Sequence, residues 1–304
     1  MTMRSENAAS RLQSLTEINA RDLLTAFGLD HRQRGHGLFL GACRRPARRF
    51  ARQVLAYDAA VGAGGLRAGG AWVLQQFVGH TTFSGQAHVP HAGPLLIVAN
   101  HPGLWDAPAL FAALPRDDLQ VIAADREFLR ALPHTMRHLC IAGETAASRL
   151  GALRAGVRHL RHGGALLTFP AGQIEPDPAV LPGAVASLDR WPDHIKVFPR
   201  LAPDLMIVPA IVSGVISPAA LRHPLRFLRR AEKDRRWLAA TLQVLFKRYQ
   251  HTHVRVTFGV PVCVADYGGD AAMATCVVMG EARRLIGQAE PRPRRDESPG
   301  ATLR

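Results

Sequence analysis

The sequence predicts an α/β protein in which a largely parallel or mixed sheet is flanked by helices and preceded by an N-terminal helical segment. From about residue 81, short apolar runs alternate with amphipathic helical patterns, whereas the earlier residues show helical spacing only. Of its 304 residues 47% are hydrophobic and 20% are charged, which suits one sizeable core. We therefore expect a helical segment over 1–80, an α/β domain over 81–290 and a disordered polar tail over 291–304.

The first 80 residues carry apolar side chains at three-and-four spacing in two stretches. These are RDLLTAF (21–27) and RRFARQVLAYDAAV (48–61), with arginines on the rest of each helical turn. The glycine-rich stretch GAGGLRAGG (62–70) follows no strand and lacks the spacing of a phosphate-binding loop. It predicts a turn or a place of close helix packing.

The α/β domain is expected to contain several short buried strands with helices between them. A helix begins near Trp105, and a second covers 145–164, where Thr145 caps it and Gly163-Gly164 ends it. We expect its apolar stripe to contain Leu150, Leu153, Val157 and Leu160, and a long basic helix to cover roughly 219–250. The predicted strands are 94–100, 119–124, 165–169, 206–212 and 254–259.

The formal net charge of +14 favours partners that carry phosphate, either nucleic acid or anionic lipid. Aromatic residues are only 6% of the chain, and no basic stretch is interleaved with aromatic rings on which bases could stack. The cysteines and histidines also lack the spacing of a zinc-binding motif. Nucleic acid is therefore not an expected partner. The chain also has no run of 18 uninterrupted apolar residues, so we expect surface attachment rather than a membrane-spanning helix.

The four cysteines are widely separated and form no C-x-x-C pair. Together with the polar N-terminus MTMRSENAAS they favour a cytoplasmic protein with reduced thiols. The histidines show no metal-binding spacing, and no nucleophile elbow or Walker loop occurs, so we expect neither a metal nor another bound cofactor.

The stretch LLIVANHPGLWD (95–106) places a histidine where a buried strand ends and an aspartate five residues later. On a regular helix His101 and Asp106 would point about 140° apart. Pro102-Gly103 bends the chain, however, so the Asp106 carboxylate can reach the imidazole and leave its other nitrogen free as a base. The alternative is purely structural, with His101 capping the turn and Asp106 opening a helix.

The stretch FSGQAHVPHAGPLLIVANHPGLWD resembles the lysophosphatidic acid and glycerol-3-phosphate acyltransferase family, in which a strand runs into N-H-x4-D. FPAGQIEPD is similar to that family's F-P-E-G-T block, IVPAIVSG to its V-P-V block and VRVTFGVPVCVAD to its closing strand. The four blocks occur in order over roughly residues 83–268. The resemblance implies a glycerolipid-acyltransferase-like fold for this part of the chain.

The resemblance also implies an acyltransferase that uses acyl-CoA or acyl-ACP as co-substrate and a lysophospholipid-like acceptor. His101 would be the general base that deprotonates the acceptor hydroxyl, and Asp106 would orient it. The acceptor or the oxyanion is expected to meet backbone donors around Phe169, Pro170 and Gly172. Gln173, at the position of the family's threonine, is expected to contact the substrate, and Glu175 can reach the same region. Arg149 is the expected contact for the acceptor phosphate, and the alternative is that it lies on a solvated helix face.

The sequence departs from the family where the glutamate and threonine of F-P-E-G-T are Ala171 and Gln173. Glu144 also stands where the phosphate-binding arginine is expected. These departures leave open a catalytically weak relative that binds lipid or acyl carrier without turnover. A metal-assisted phosphoesterase is a third possibility, and it would need further ligands near His101 and Asp106.

Two basic stretches carry apolar side chains, RRPARRFAR (44–52) and RHPLRFLRRAEKDRR (222–236). Such a pattern is typical of a helix that lies on an anionic bilayer, although a solvated helix docked on the sheet gives the same pattern. We expect peripheral attachment to the inner face of the cell membrane.

Overall fold

A computed structural model describes residues 2–29, 36–202 and 204–290 of the chain. The predicted disordered tail, 291–304, lies outside these residues. The α-helices are α1 Thr2–Ala26, α2 His36–Phe77, α3 Asp106–Ala113, α4 Glu127–Arg130, α5 Pro133–Met136, α6 Ala146–Arg161, α7 Ala184–Ser187, α8 Pro192–Ile195, α9 Val197–Leu201, α10 Pro218–Leu221, α11 Glu232–Leu245 and α12 Ala271–Ala289. The strands are β1 His80–Ser84, β2 Leu95–Ala99, β3 Leu119–Ala124, β4 Leu139–Ala142, β5 Ala165–Thr168, β6 Met206–Ser213, β7 His253–Phe258 and β8 Val262–Cys263.

The strands form one mixed sheet in the order β1-β7-β6-β2-β5-β3-β4, with β8 paired to β6. The five strands β2 to β6 are parallel, while β7 and β8 run antiparallel to β6. This arrangement confirms the predicted α/β class with its largely parallel or mixed sheet. The carboxyl ends of β2, β3, β4 and β5 share one edge, and such edges collect binding sites in α/β proteins.

Strand β2 lies in the middle of the sheet and is buried on both faces. Leu95, Ile97 and Ala99 pack into an apolar core on the side of α2 and α3. The alternate residues Leu96 and Val98 pack into a second core on the side of α6 and α12. The two cores hold β2 from both faces, so the residue after it starts from a rigid position.

The N-terminal helices pack directly on the α/β domain. Helix α2 is kinked where Gly64 and Gly65 leave helical geometry, and Gly65 has a φ of 71°. Further along, Gly70 lies so close to α3 that an added Cβ would fall 2.4 Å from the carbonyl oxygen of Pro108. The glycine-rich stretch is thus both the turn and the close packing point that its composition predicts. At the end of α2, Phe77 stacks on Trp105 with ring centroids 4.6 Å apart.

Several predictions from the sequence are wrong in detail. The expected long basic helix over 219–250 is interrupted: α10 is followed by a 3-10 helix over Pro224–Leu228, and α11 begins only at Glu232. Pro224 explains the first break, because proline cannot donate the backbone hydrogen bond that a continuous helix needs. Leu150 is exposed, so the buried stripe of α6 shifts to Ala152, Gly156, Val157 and Leu160.

Within the described ranges, no helix is both long enough and apolar enough to cross a membrane.

Candidate functional site

His101 follows directly on the buried strand β2. The preceding residue, Asn100, donates from its side chain to the carbonyl of Val212 at 2.9 Å and accepts from the Val212 N–H at 2.7 Å. Its amide thereby continues the pairing of β2 with β6 by one residue beyond the strand. This buried pair of hydrogen bonds fixes the backbone of Asn100, immediately before His101.

Asp106 is the N-terminal residue of α3, and it folds back onto the imidazole as the sequence predicted. Its Oδ2 lies 2.8 Å from Nδ1 of His101 and also accepts from the Gly103 N–H at 2.8 Å. Oδ1 accepts from the N–H of Ala107. The Asp106 side chain is 1% exposed and that of His101 31%. The carboxylate is therefore shielded from water while the imidazole keeps an open side.

The charges around His101 favour its protonated form. Burial lowers the pKa of His101, but the charge of Asp106, its hydrogen bond and the charge of Glu175 outweigh burial, so that the pKa is raised above its ordinary value. A carboxylate on Nδ1 also selects the tautomer in which Nε2 carries the lone pair. The arrangement can take up a proton at Nε2 and stabilise the imidazolium that results.

The loop after β5 forms one wall beside the imidazole. The Phe169 ring lies 4.8 Å from that of His101, centroid to centroid. The structure corrects part of the expectation for backbone donors here. Pro170 has no N–H, and the N–H of Gly172 donates to the carbonyl of Phe169 at 3.0 Å, closing a turn in which Gly172 has a φ of 63°. The Gln173 side chain is exposed at this loop and stays available to a substrate.

Glu175 does not lie on the exposed surface where a substrate contact was expected. It is 1% exposed, and its carboxylate faces donors from the protein itself. Oε2 accepts from the backbone N–H of His101 at 2.9 Å, and Oε1 accepts from Nε1 of Trp191 at 3.0 Å. This expectation is therefore wrong: the buried carboxylate contacts the backbone of His101 and is closed off from the open side of the imidazole.

Arg149 lies on the exposed first turn of α6, and its guanidinium donates to the carbonyl oxygen of Glu144. Helix α6 follows β4, which is the third strand from β2 along the sheet. At about 4.8 Å per strand, the start of α6 is about 14 Å from the end of β2. Arg149 is thus on the same edge of the sheet as His101 and outside hydrogen-bonding range of it.

Reasoning from the sequence missed Asp177, which organises the neighbouring loop. Its buried carboxylate accepts from the backbone N–H groups of Gly214, Val215 and Ile216 at 2.6–3.0 Å, and so fastens the loop after β5 to the end of β6. The only hint in the sequence is the pair of carboxylates in IEPDP, since nothing local indicates that they are buried.

Among the residues that the structure describes, no group of three or more His, Cys, Asp or Glu side chains is arranged to hold a metal ion.

Comparison with known proteins shows which family the segment carrying this site is similar to. Residues 80–212 match the model of the family described as Acyltransferase, and the segment contains His101, Asp106 and the loop after β5. Among solved structures, the crystal structure of the 1-acyl-sn-glycerophosphate (LPA) acyltransferase PlsC from Thermotoga maritima is similar at 16% identity and a TM-score of 0.45, covering 82% of this chain and 84% of that one. No curated protein matches the chain by sequence. The match to the acyltransferase family thus covers residues 80–212, the segment that contains the His101–Asp106 pair.

Proposed function

We propose that this protein is an acyltransferase that moves a fatty acyl group from the thioester of acyl-CoA or acyl-ACP to a hydroxyl of a lysophospholipid-like acceptor. The observation that carries the proposal is the 2.8 Å contact between Nδ1 of His101 and the shielded carboxylate of Asp106. The carboxylate orients the imidazole through one nitrogen and leaves an open side at the other, which is the arrangement that a general base needs.

The reaction needs one base and no covalent nucleophile from the protein, because a thioester is already activated. Nε2 of His101 takes the proton of the acceptor hydroxyl as its oxygen attacks the thioester carbonyl carbon. The tetrahedral intermediate then expels the thiolate, the C–S bond breaks, and the imidazolium returns the proton to sulfur. The products are an ester and a free thiol. A base placed in this way contributes about 10²- to 10⁴-fold to the rate, and orientation of the two substrates contributes much of the rest.

Recognition of the acceptor phosphate is assigned to Arg149, because this exposed guanidinium lies on the edge of the sheet that carries the base. Its partner at present is a backbone carbonyl, which a phosphate can replace with a stronger, charge-assisted hydrogen bond. Arg149→Ala is expected to raise KM for a phosphate-bearing acceptor while leaving KM for the acyl donor unchanged. Arg154→Ala, an exposed arginine on another face of α6, serves as the matched control and should change neither value. Equal effects of both variants would contradict the assignment.

Attachment to an anionic membrane surface is the second part of the proposal. Around the 3-10 helix Pro224–Leu228, Phe227 is 75% exposed and Leu228 is also exposed, with Arg226 and Arg230 beside them. Arg229 donates to the carbonyl of Thr25 at 2.9 Å, so this segment lies against the end of α1. Exposed apolar side chains surrounded by arginine fit the interface of an anionic bilayer at its inner, cytoplasmic face.

Sedimentation with vesicles tests this attachment. The wild type should bind phosphatidylglycerol vesicles, lose binding as salt rises, and bind phosphatidylcholine vesicles weakly. Phe227→Ser should weaken binding, whereas Met273→Ser, which changes a 53%-exposed residue on α12, should not. Equal binding by both variants would contradict this role for the segment.

The catalytic proposal is tested by thiol release and mass spectrometry of the lipid product. Purified protein is given acyl-CoA or acyl-ACP with a panel of lysophospholipids. Thiol release that requires an acceptor, with one new ester per thiol, would support the proposal and name the acceptor. Binding of acyl-ACP or lipid without turnover, across both donors and the whole panel, would instead favour the binding-only relative that Ala171 and Gln173 leave open.

A further inference from the structure

We infer that Glu175 is a positioning residue for His101: its buried carboxylate holds the backbone of the base and places a second negative charge beside the imidazole. This inference rests on the proposed function, because it assigns Glu175 a role through the proposed base. It also replaces the substrate contact that the sequence suggested for this residue.

Both backbone groups of His101 are paired with Glu175. The N–H of His101 donates to Oε2 of Glu175 at 2.9 Å, and the carbonyl oxygen of His101 accepts from the N–H of Glu175 at 2.8 Å. The two residues are 74 positions apart, so these bonds join the loop after β5 to the end of β2. The peptide groups on both sides of the base are therefore fixed by one residue.

The other end of the carboxylate is anchored in the core. Oε1 accepts from Nε1 of Trp191, whose side chain is fully buried. The Ser187 hydroxyl lies 2.9 Å from Oε1 and 2.7 Å from the carbonyl of Ala184, and its single proton can serve only one of them at a time. Trp191 is thus the constant hydrogen-bond donor to Oε1, and it anchors the Glu175 carboxylate to the apolar core on the side of α6 and α12.

The partners of Glu175 suit an ionised carboxylate. The backbone N–H of His101 and the indole N–H of Trp191 can only donate, and a protonated carboxyl would place its own hydrogen among donors. Burial raises the pKa of Glu175 above its ordinary value on balance, although the bonds from Trp191, His101 and Ser187 and the charge of His101 lower it in part. When His101 takes up a proton, the imidazolium then has two carboxylates near it, Asp106 at Nδ1 and Glu175 behind the backbone.

Glu175→Gln separates this role from simple packing. Glutamine has nearly the same shape but removes the charge, and whichever way the amide turns, its NH₂ faces a donor. We expect the pKa of the His101 imidazole to fall, because a negative charge that favoured the imidazolium is lost. We also expect kcat to fall by about 10- to 100-fold, since small displacements of a catalytic group cost about that much. KM for both substrates should stay unchanged, because Glu175 touches neither.

Two control variants keep the negative charge of Glu175 and change only the contacts or the length of its side chain. Trp191→Phe removes one donor to the carboxylate and keeps the charge, so it should lower the melting temperature without lowering the His101 pKa. Glu175→Asp keeps the charge on a shorter side chain, so it should lower kcat and leave the His101 pKa close to that of the wild type. This second variant also keeps the inference falsifiable if Glu175→Gln fails to fold.

The experiment is an NMR titration of the histidine rings in the wild type and the three variants, with the His101 signal assigned from its loss in His101→Ala. It requires no substrate, so it tests Glu175 even if no acceptor is turned over, and absence of turnover counts against the proposed function alone. A lower His101 pKa in Glu175→Gln, with little change in Trp191→Phe and Glu175→Asp, supports the inference. An unchanged pKa in a folded Glu175→Gln variant, a raised KM, or a Glu175→Asp variant with wild-type kcat would overturn it.

Discussion

Replacing Asp106 by asparagine isolates the charge of the proposed dyad. The carboxylate accepts from three donors: Nδ1 of His101, the N–H of Gly103 and the N–H of Ala107. An asparagine oxygen turned toward His101 keeps the first two bonds and loses that to Ala107. Turned the other way, the oxygen keeps the bond from the Ala107 N–H and loses that from Gly103. The NH₂ then faces Nδ1 and forces His101 into the tautomer that has no lone pair on Nε2.

The charge is lost in both orientations, and this sets the minimum effect of Asp106→Asn. An opposite charge at this distance shifts a pKa by about 1 to 3 units, which corresponds to about 10- to 10³-fold in stabilisation of the imidazolium. If the amide turns so that the tautomer also changes, the loss in kcat reaches about 10⁴-fold, the value known for the equivalent change in a serine protease triad. The one unpaired backbone N–H costs about 1–3 kcal/mol of stability.

Thiol release over a range of pH measures this prediction. We expect kcat/KM of Asp106→Asn to fall within the range above and its acid limb to move to lower pH, because the raised pKa of His101 depends on Asp106. Asp118→Asn is the control, since Asp118 pairs with Arg116 just before β3, at the opposite edge of the sheet. A folded Asp106→Asn variant with kcat/KM close to that of the wild type, or with an unmoved acid limb, would refute the reasoning.

The other predictions concern pH and the packing of α2. In the wild type, kcat/KM should rise with pH through a value above the ordinary imidazole pKa, because the base must be neutral and the pKa of His101 is raised; a limb below that value would contradict this. The same shift adds stability that is complete below the ordinary imidazole pKa and is lost as pH rises through the folded pKa, which melting curves of the wild type and His101→Ala can show. Gly70→Ala should cost about 1–3 kcal/mol, because its Cβ would meet the backbone of α3, whereas Gly151→Ala, with open space around it, should be neutral or slightly stabilising in the same denaturant titration. Asp58→Ala leaves the buried N–H and hydroxyl of Thr135 without their acceptor and should cost about 1–3 kcal/mol, and a melting temperature equal to that of the wild type would contradict this.

Much of the sheet could be predicted, because its inner strands are apolar runs that need burial on both faces. The strands that went unpredicted are those where this signal is weak. Strand β1 is a half-exposed edge strand of sequence HTTFS, β4 is a short and only partly buried strand at the other edge, and β8 has only two residues. The break in the basic region is harder to predict, because its arginines and leucines favour a helix that Pro224 interrupts.

The candidate site likewise has one part that the sequence predicts and one part that it does not. His101 and Asp106 are close in sequence, so a bend at Pro102-Gly103 was enough to predict their contact. The contacts of Glu175 depend on a loop 74 residues from His101 and on Trp191, and no local pattern encodes them. Its place just after the FPAGQ block predicts a position near the site, but its burial follows from the folded chain alone.

The most direct test of the central claim compares His101→Ala with the wild type in acceptor-dependent thiol release. If His101 is the general base, the variant should lose about 10²- to 10⁴-fold in kcat. Its binding to phosphatidylglycerol vesicles should stay unchanged, because the exposed segment around Phe227 is intact. A folded His101→Ala variant that releases thiol at the wild-type rate would contradict the account.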